Sequence, residues 1–289
     1  MKPRIFLLGL SVVLWAAVAV PASAQHLEQI PGSLARVSVG GTSVWGLNTA
    51  DEIYRYDSGT HLFSQIPGSL THIAVGGGTV VQNDEVWGLN SSDEIYRFNP
   101  STQLFDQIPG ALTQVAVGAG YSNCHPYEVW GVNAFGEIFR YNYCNSQFTQ
   151  IPGSLMSVTV GEGDVWGINA SEQIYHFNFA TQKFRQVPGS LTQVVVGVND
   201  VWGLNASRQI YRFNPQTQTF YQVSGSLTSI AMGGNGVWGI SASGLIYQFT
   251  PSSQVFVQVQ GSLAQIAVGY GGSVWGVNAS GLIYAFVTP

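Results

Sequence analysis

The chain has 289 residues, of which 45% are hydrophobic, 12% aromatic and only 9% charged, and it carries 35 glycines. That composition excludes a disordered chain, which needs high charge and little apolar content, and a coiled coil, which needs abundant Glu and Lys. A formal net charge of −5 leaves no electrostatic footprint for nucleic acid.

In chain order, the first segment reads as a targeting signal. Lys2 and Arg4 precede an apolar run from Ile5 to Val20, and Ala22-Ser23-Ala24 follows as a small-x-small cleavage site. The expectation is a secretory signal peptide over residues 1–24, and a secreted (extracellular or periplasmic) mature chain starting at Gln25. Losing Lys2 and Arg4 takes the net charge from −5 to −7. No later stretch is apolar for long enough to span a bilayer, so no stable membrane insertion is expected after cleavage.

From residue 25 onward the sequence repeats. Val-Trp-Gly occurs seven times, with Trp at 45, 87, 130, 166, 202, 238 and 275. The base period is 36 residues. The excess in the first two intervals falls at one place, between the Val-Gly ending one segment and the next Val-Trp-Gly, at Gly77–Glu85 and Ala119–Glu128. Each unit holds four short pieces rich in Val, Ile, Phe and Tyr and bounded by Gly, Pro, Asn or Ser. Examples are Leu112–Gly118, Val201–Asn205, Ile210–Asn214 and Phe105–Ile108. No stretch shows a sustained helical period.

Four antiparallel strands per unit in seven units predict an all-β chain, a single β-propeller domain over 25–289 with seven four-stranded blades; six blades and an irregular unit is the alternative. The N-terminal piece Leu27–Ile30 is an orphan fourth strand, and the last unit stops after its third strand, Ile283–Phe286. The first should therefore complete the last blade, leaving no free edge.

The repeats resemble the tectonin family, through Pro67-Gly68-Ser69-Leu70, Val75-Gly76, Trp87 to Asn90 and Ile95 to Phe98, a pattern that recurs over nearly all of Leu27 to Phe286. That family comprises secreted or extracellular propellers, many of them sugar-binding lectins related to tachylectin-1 and the fish-egg lectins. The resemblance implies a carbohydrate-binding lectin with several similar sites in grooves between adjacent blades.

The candidate carbohydrate-binding residues are Trp45 and Asn48, Trp87 and Asn90, Trp130 and Asn133, Trp166 and Asn169, Trp202 and Asn205, and Trp275 and Asn278. An indole offers a sugar a flat apolar face, and an amide offers its hydroxyls hydrogen bonds. The competing readings are that Trp packs between blades and that Asn starts a turn. A Gln precedes the Ile-Pro-Gly position in every unit, from Gln29 and Gln65 to Gln258, and serves either backbone groups at a blade corner or a ligand groove. Glu52, Glu94 and Glu137 lie three residues before Arg55, Arg97 and Arg140, as surface ion pairs or as receptors for an anionic sugar. Asp84-Glu85 and Glu162-Gly163-Asp164 read as loop acids facing water.

No charged side chain occurs from Phe213 to Pro289, so charge chemistry is confined to the first five units. The expected glycans are neutral and surface-displayed. No nucleophile elbow, phosphate loop or metal-ligand spacing occurs, so the expectation is a binding protein rather than an enzyme, with no cofactor and no metal. A protein-interaction scaffold using Gly77–Glu85 and Ala119–Glu128 is the second reading. Cys124 and Cys144, the only cysteines, fall in loops that emerge at the same edge of the third unit and should form a disulfide in an exported chain.

Overall fold

Every Val-Trp-Gly segment forms the second strand of a four-stranded antiparallel sheet. In the computed structural model, which describes residues 26–77 and 84–287, seven such sheets stand around one axis. The expected signal peptide lies outside the described residues. Blade 1 comprises Arg36–Val39, Val44–Leu47, Glu52–Asp57 and Leu62–Ser69. Blades 2 to 6 repeat that order over 72–111, 114–151, 157–190, 193–226 and 229–262, and blade 7 takes 265–287 plus 26–33. The first strand of each blade lies nearest the axis and the fourth forms the outer perimeter.

The ring closes as the sequence implies. His26–Ser33 pairs antiparallel with Leu282–Val287, and Leu27 opposes Phe286 while Ile30 opposes Ile283. Blade 7 is therefore built from both ends of the chain.

Seven apolar seams between blades replace a single central core. In the first, Trp45, Leu47 and Ile53 of blade 1 pack with Ile73, Val86 and Phe98 of blade 2. The second strands are buried along their length, because a blade covers its neighbours with both faces. Two sequence motifs meet at each seam. The Leu of Pro-Gly-Ser-Leu lies over the Gly of the following Val-Trp-Gly, so a Cβ on Gly46 would collide with Leu34 Cδ1. The Gly before that Ser-Leu has a positive φ, +120° at Gly32, which only glycine adopts without strain.

The inner strands are clamped side chain to backbone. Gln265 accepts from Val37 N at 2.9 Å and donates to Val37 O at 3.0 Å, acting as a surrogate peptide across the blade 7–blade 1 junction. Gln114 does the same to Val158, and Gln193 to Ile230. His72 donates from Nε2 to Val115 O at 3.0 Å at the equivalent position.

Ala119–Glu128 is not an open loop. The first strand of blade 3 runs through Gln114–Ser122 and the second starts at His125, so the insertion is a hairpin extension closed at Asn123-Cys124. The Cys124–Cys144 disulfide joins that tip to the turn between strands three and four of the same blade. Of the other insertion, residues 78–83 lie outside the described residues. Its end is anchored: the Asp84 carboxylate accepts from the backbone N–H groups of Gly41, Thr42 and Ser43 and from the Ser43 hydroxyl at 2.6 Å. Blade 2 thus holds a turn of blade 1.

Two predictions follow from these seams. Deleting residues 25 to 31 exposes a long edge and one face of blade 7, so a large fall in melting temperature or loss of solubility is expected; a melt within a degree or two of the parent would refute strand closure. The second concerns pH. Burial lowers the His72 pKa, so the folded ring stays neutral where an unfolded ring, titrating near 6.5, becomes charged. Protons then favour the unfolded chain, and stability falls as pH drops below about 6.5. His72→Gln installs the clamp used in blades 3, 5 and 7, and should flatten the decline of melting temperature between pH 7 and 5. An unchanged slope would assign the decline to other groups.

Candidate functional site

The Trp row is internal. The seven indoles are only 0–6% exposed. Each packs against an aromatic of the next blade, edge-on in six of the seven and tilted for Trp238 on Phe286: Trp45 on Phe98 at 4.7 Å, Trp130 on Phe177 at 4.6 Å, Trp202 on Phe249 at 4.6 Å, Trp275 on Tyr56 at 4.6 Å. Trp87 and Trp166 do the same on Tyr141 and Phe213. The faces offered to a sugar in the sequence reading are thus occupied by protein. Trp45, Trp87, Trp130, Trp166, Trp202 and Trp275 form seams, not a glycan platform.

Asn48, Asn90, Asn133, Asn169, Asn205 and Asn278 start the turns between the second and third strands. Asn133 Oδ1 accepts from the N–H groups of Phe135 (3.0 Å) and Glu137 (2.9 Å), and its Nδ2 donates to Glu137 Oε2 at 2.7 Å. Asn48 and Asn90 repeat this with Glu52 and Glu94, and Asn169 and Asn205 with Gln173 and Gln209. Asn278 Oδ1 binds Ser280 N and Leu282 N. Their side chains are committed to turn geometry, so the expectation of free sugar donors is corrected.

The expected pairing of Glu52, Glu94 and Glu137 with the Arg residues three positions on does not occur. Residues i and i+3 on a strand point to opposite faces. The glutamates instead collect amides: Gln65, Gln107 and Gln150 donate to them at 3.1–3.2 Å, so in blades 1 to 3 this Gln serves a carboxylate and not the backbone groups expected of it. Hydrogen bonds from Asn48 and Tyr54 hold the Glu52 carboxyl below its ordinary range, and the Glu52 bond raises the Tyr54 pKa.

In blades 2 to 5 the third-strand base pairs with the acid two residues before the Trp. Arg97 binds Glu85, Arg140 binds Glu128 through two N–H···O contacts of 2.5 and 2.8 Å, His176 binds Asp164 at 2.6 Å and Arg212 binds Asp200 at 3.0 Å. The indole N–H of Trp87, Trp130, Trp166 and Trp202 donates to the same four acids at 2.7–2.9 Å. The guanidiniums of Arg97, Arg140 and Arg212 lie 5.2–5.9 Å from those rings, and the His176 ring stacks on Trp166 at 4.3 Å. Burial opposes the charge of Arg97, and the Glu85 carboxylate more than offsets it, raising the Arg97 pKa. Glu85 and Glu128 are buried, not water-facing. Strand register carries the missed signal: Trp87 is cross-strand from Arg97, which places the acid two residues before the Trp within reach.

Surface hollows lie at the outer seams. One of about 550 Å³ between blades 2 and 3 has Ile95, Pro109 and Leu112 on one wall, Phe139 and Phe148 on the other, and Asn133 at its rim. The same hollow, about 330 Å³, recurs between blades 5 and 6, with Ile210, Leu227, Tyr247 and Phe256. Blade 3 has Phe139 where the other six blades have Tyr. Of the candidate residues, Asn133 is the one that reaches the larger groove. Among the described residues no group of three or more His, Cys, Asp or Glu has metal-binding proximity.

The Tectonin domain family model matches residues 17–144 and 128–288. The chain belongs to the tectonin family. No curated protein matches it significantly. Solved structures of similar fold include the β-propeller domain of Cps50 (Swd1) from Myceliophteria thermophila, with a TM-score of 0.71 at 9% identity over 91% of this chain and 99% of that one. YCF48 bound to D1 peptide gives 0.67 at 12% identity, covering 94% and 99%. Prp20p from Saccharomyces cerevisiae gives 0.66 at 9% identity, covering 88% and 82%. Such identities show the shared fold alone.

The acid–base stacks should be structural. Glu128→Ala leaves the buried Arg140 without its counter-ion, and a loss of about 3–5 kcal/mol is expected from denaturant unfolding. Replacing both partners, Glu128→Gln with Arg140→Gln, should recover much of it, since blade 6 carries Gln248 at the Arg140 position. A single variant as stable as the parent would contradict this.

Proposed function

We propose that this tectonin propeller is a secreted carbohydrate-binding lectin whose sites are the outer grooves between blades. One observation carries the reading: the groove between blades 2 and 3 sets apolar and aromatic walls against the amides of Asn145 and Gln147, and its counterpart between blades 5 and 6 sets like walls beside the hydroxyls of Ser224 and Ser226. Phe139 and Phe148 offer ring faces or edges to the C–H groups of a sugar, and Asn145 and Gln147 offer polar groups to its hydroxyls. Lining by neutral groups suits a neutral glycan. The ring rigidly fixes the spacing of the grooves, so weak single sites gain avidity on a surface coated with one glycan. Export is supported by the N-terminal charge and apolar pattern and by the Cys124–Cys144 disulfide.

Groove-filling substitutions test the reading without touching the seams. Ala111 and Ser226 are exposed and line the two grooves at equivalent positions. Ala111→Trp and Ser226→Trp should each lower the stoichiometry for a glycan selected on an array, with little change in melting temperature. The double variant should lose most binding to a glycan-coated surface. Undiminished binding by the folded double variant would place the site elsewhere, and a parent that binds no glycan would refute the lectin reading.

A further inference from the structure

The seven repeats provide an internal comparison that singles out Arg55. Blades 2 to 5 pair the third-strand base with the acid two residues before Trp. Blades 6 and 7 have neither, with Gln248 and Ala285 at the base position and Gly236 and Ser273 at the acid position. Blade 1 alone keeps the base without the acid, because Ser43 stands where Glu85, Glu128, Asp164 and Asp200 stand.

Arg55 is nevertheless held in the shared geometry. It is cross-strand from Trp45, and its guanidinium lies 5.4 Å from the Trp45 ring and 5.9 Å from Phe98 of blade 2. Trp45 Nε1 donates to Ser43 Oγ at 3.1 Å instead of to a carboxylate. No carboxylate among the described residues forms an ion pair with Arg55, and residues 78–83 contain no acid. Asp84 is close by, but its oxygens are taken by the donors of Gly41, Thr42 and Ser43. Arg55, Thr42 and Ser43 border two adjoining hollows of about 410 and 350 Å³. The first also has Ser58, Ser64 and Gln103 in its wall, with Asp57 and Tyr56.

We propose that this hollow between blades 1 and 2 is a single binding site for a carboxylate-bearing saccharide. The ligand carboxylate takes the place that the Glu85 side chain has beside Arg97, accepting from the Arg55 guanidinium. The hydroxyl-rich wall receives the sugar's hydroxyls. A guanidinium presents donors in a fixed fork that matches a carboxylate, whereas a neutral sugar gives it no counter-charge. Asp57 and Asp84 set a limit on the ligand: one carboxylate is favoured, and a polyanion is repelled. The site draws its ligand class from the glycan-binding reading, but it is separate from the outer grooves.

Calorimetric titration of the full mature chain with sodium glucuronate, against glucose at matched ionic strength, tests the assignment. One site per chain is expected for glucuronate, with affinity falling as salt rises, and none for glucose in this hollow. Arg55→Gln should weaken glucuronate binding about tenfold or more, in keeping with loss of a charge-assisted contact. It should keep the fold, because blade 6 carries Gln248 at that position. Arg55→Lys, which keeps charge but loses the fork, should bind between parent and Gln variant. The double groove variant Ala111→Trp with Ser226→Trp should bind glucuronate as the parent does, and Arg55→Gln should keep any neutral-glycan binding, so the two sites fail independently. No glucuronate binding by the parent, or equal binding by a folded Arg55→Gln protein, would overturn the proposal.

Discussion

The contact on which the rest depends is the indole of each blade inserted against the third-strand aromatic of the next, joined in all but blade 7 by a fourth-strand Phe. A four-stranded sheet of this size has two apolar faces and cannot hide either alone. Trp202 on Phe249 and Phe256, repeated around the ring, buries one face of each blade in the next. Truncating a buried aromatic of this size typically costs about 3–5 kcal/mol, so no Trp is free to serve a ligand without loosening a seam. The glycine after each Trp follows from the same constraint, because the Leu of the preceding Pro-Gly-Ser-Leu needs its side-chain space.

Closing that ring requires the last seam to be made by residues far apart in sequence. Trp275 packs on Tyr56 and Phe63 of blade 1, and Trp238 packs on Phe286 in a strand that also holds His26–Ser33. Gln265 adds two hydrogen bonds to Val37 across 228 positions of chain. The N-terminal strand is therefore a component of blade 7 and not an appendage.

The fold was legible because period and strand pattern are local properties repeated seven times. The orphan piece at Leu27–Ile30 and the missing fourth strand after Phe286 made the closure legible as well. The site was less so, for reasons of direction. Whether an indole faces a neighbouring blade or a cleft depends on how the blades stack, which a single repeat does not encode. The separation of Glu94 from Arg97 by three residues suggested a pair, while strand parity puts them on opposite faces and gives Arg97 to Glu85. The Asn row looked equally fit for turns or sugars, and local competition decided it: the amide closes a turn with its own backbone two and four residues on, at less entropic cost than holding a ligand. The grooves escaped the sequence because their walls come from different blades.

Repetition also explains where specificity can reside. A seam must be alike in every blade for the ring to close, so the residues that make it are constrained at all seven positions. A site that differs from its counterparts can arise only where the repeat departs from itself. Phe139 in place of Tyr, at the larger groove, is such a departure. Ser43 in place of an acid beside Arg55 is another, and the Asp84 anchor that accompanies it ties blade 2 to the altered turn. Blades 6 and 7, with neither the third-strand base nor the acid before the Trp, keep the aromatic seam intact. The charges of blades 2 to 5 are thus not needed for closure as such. They set the indole N–H and the stacked base in place, and where the acid is missing, as in blade 1, the guanidinium keeps its place over Trp45 but has no ion-pair partner among the described residues.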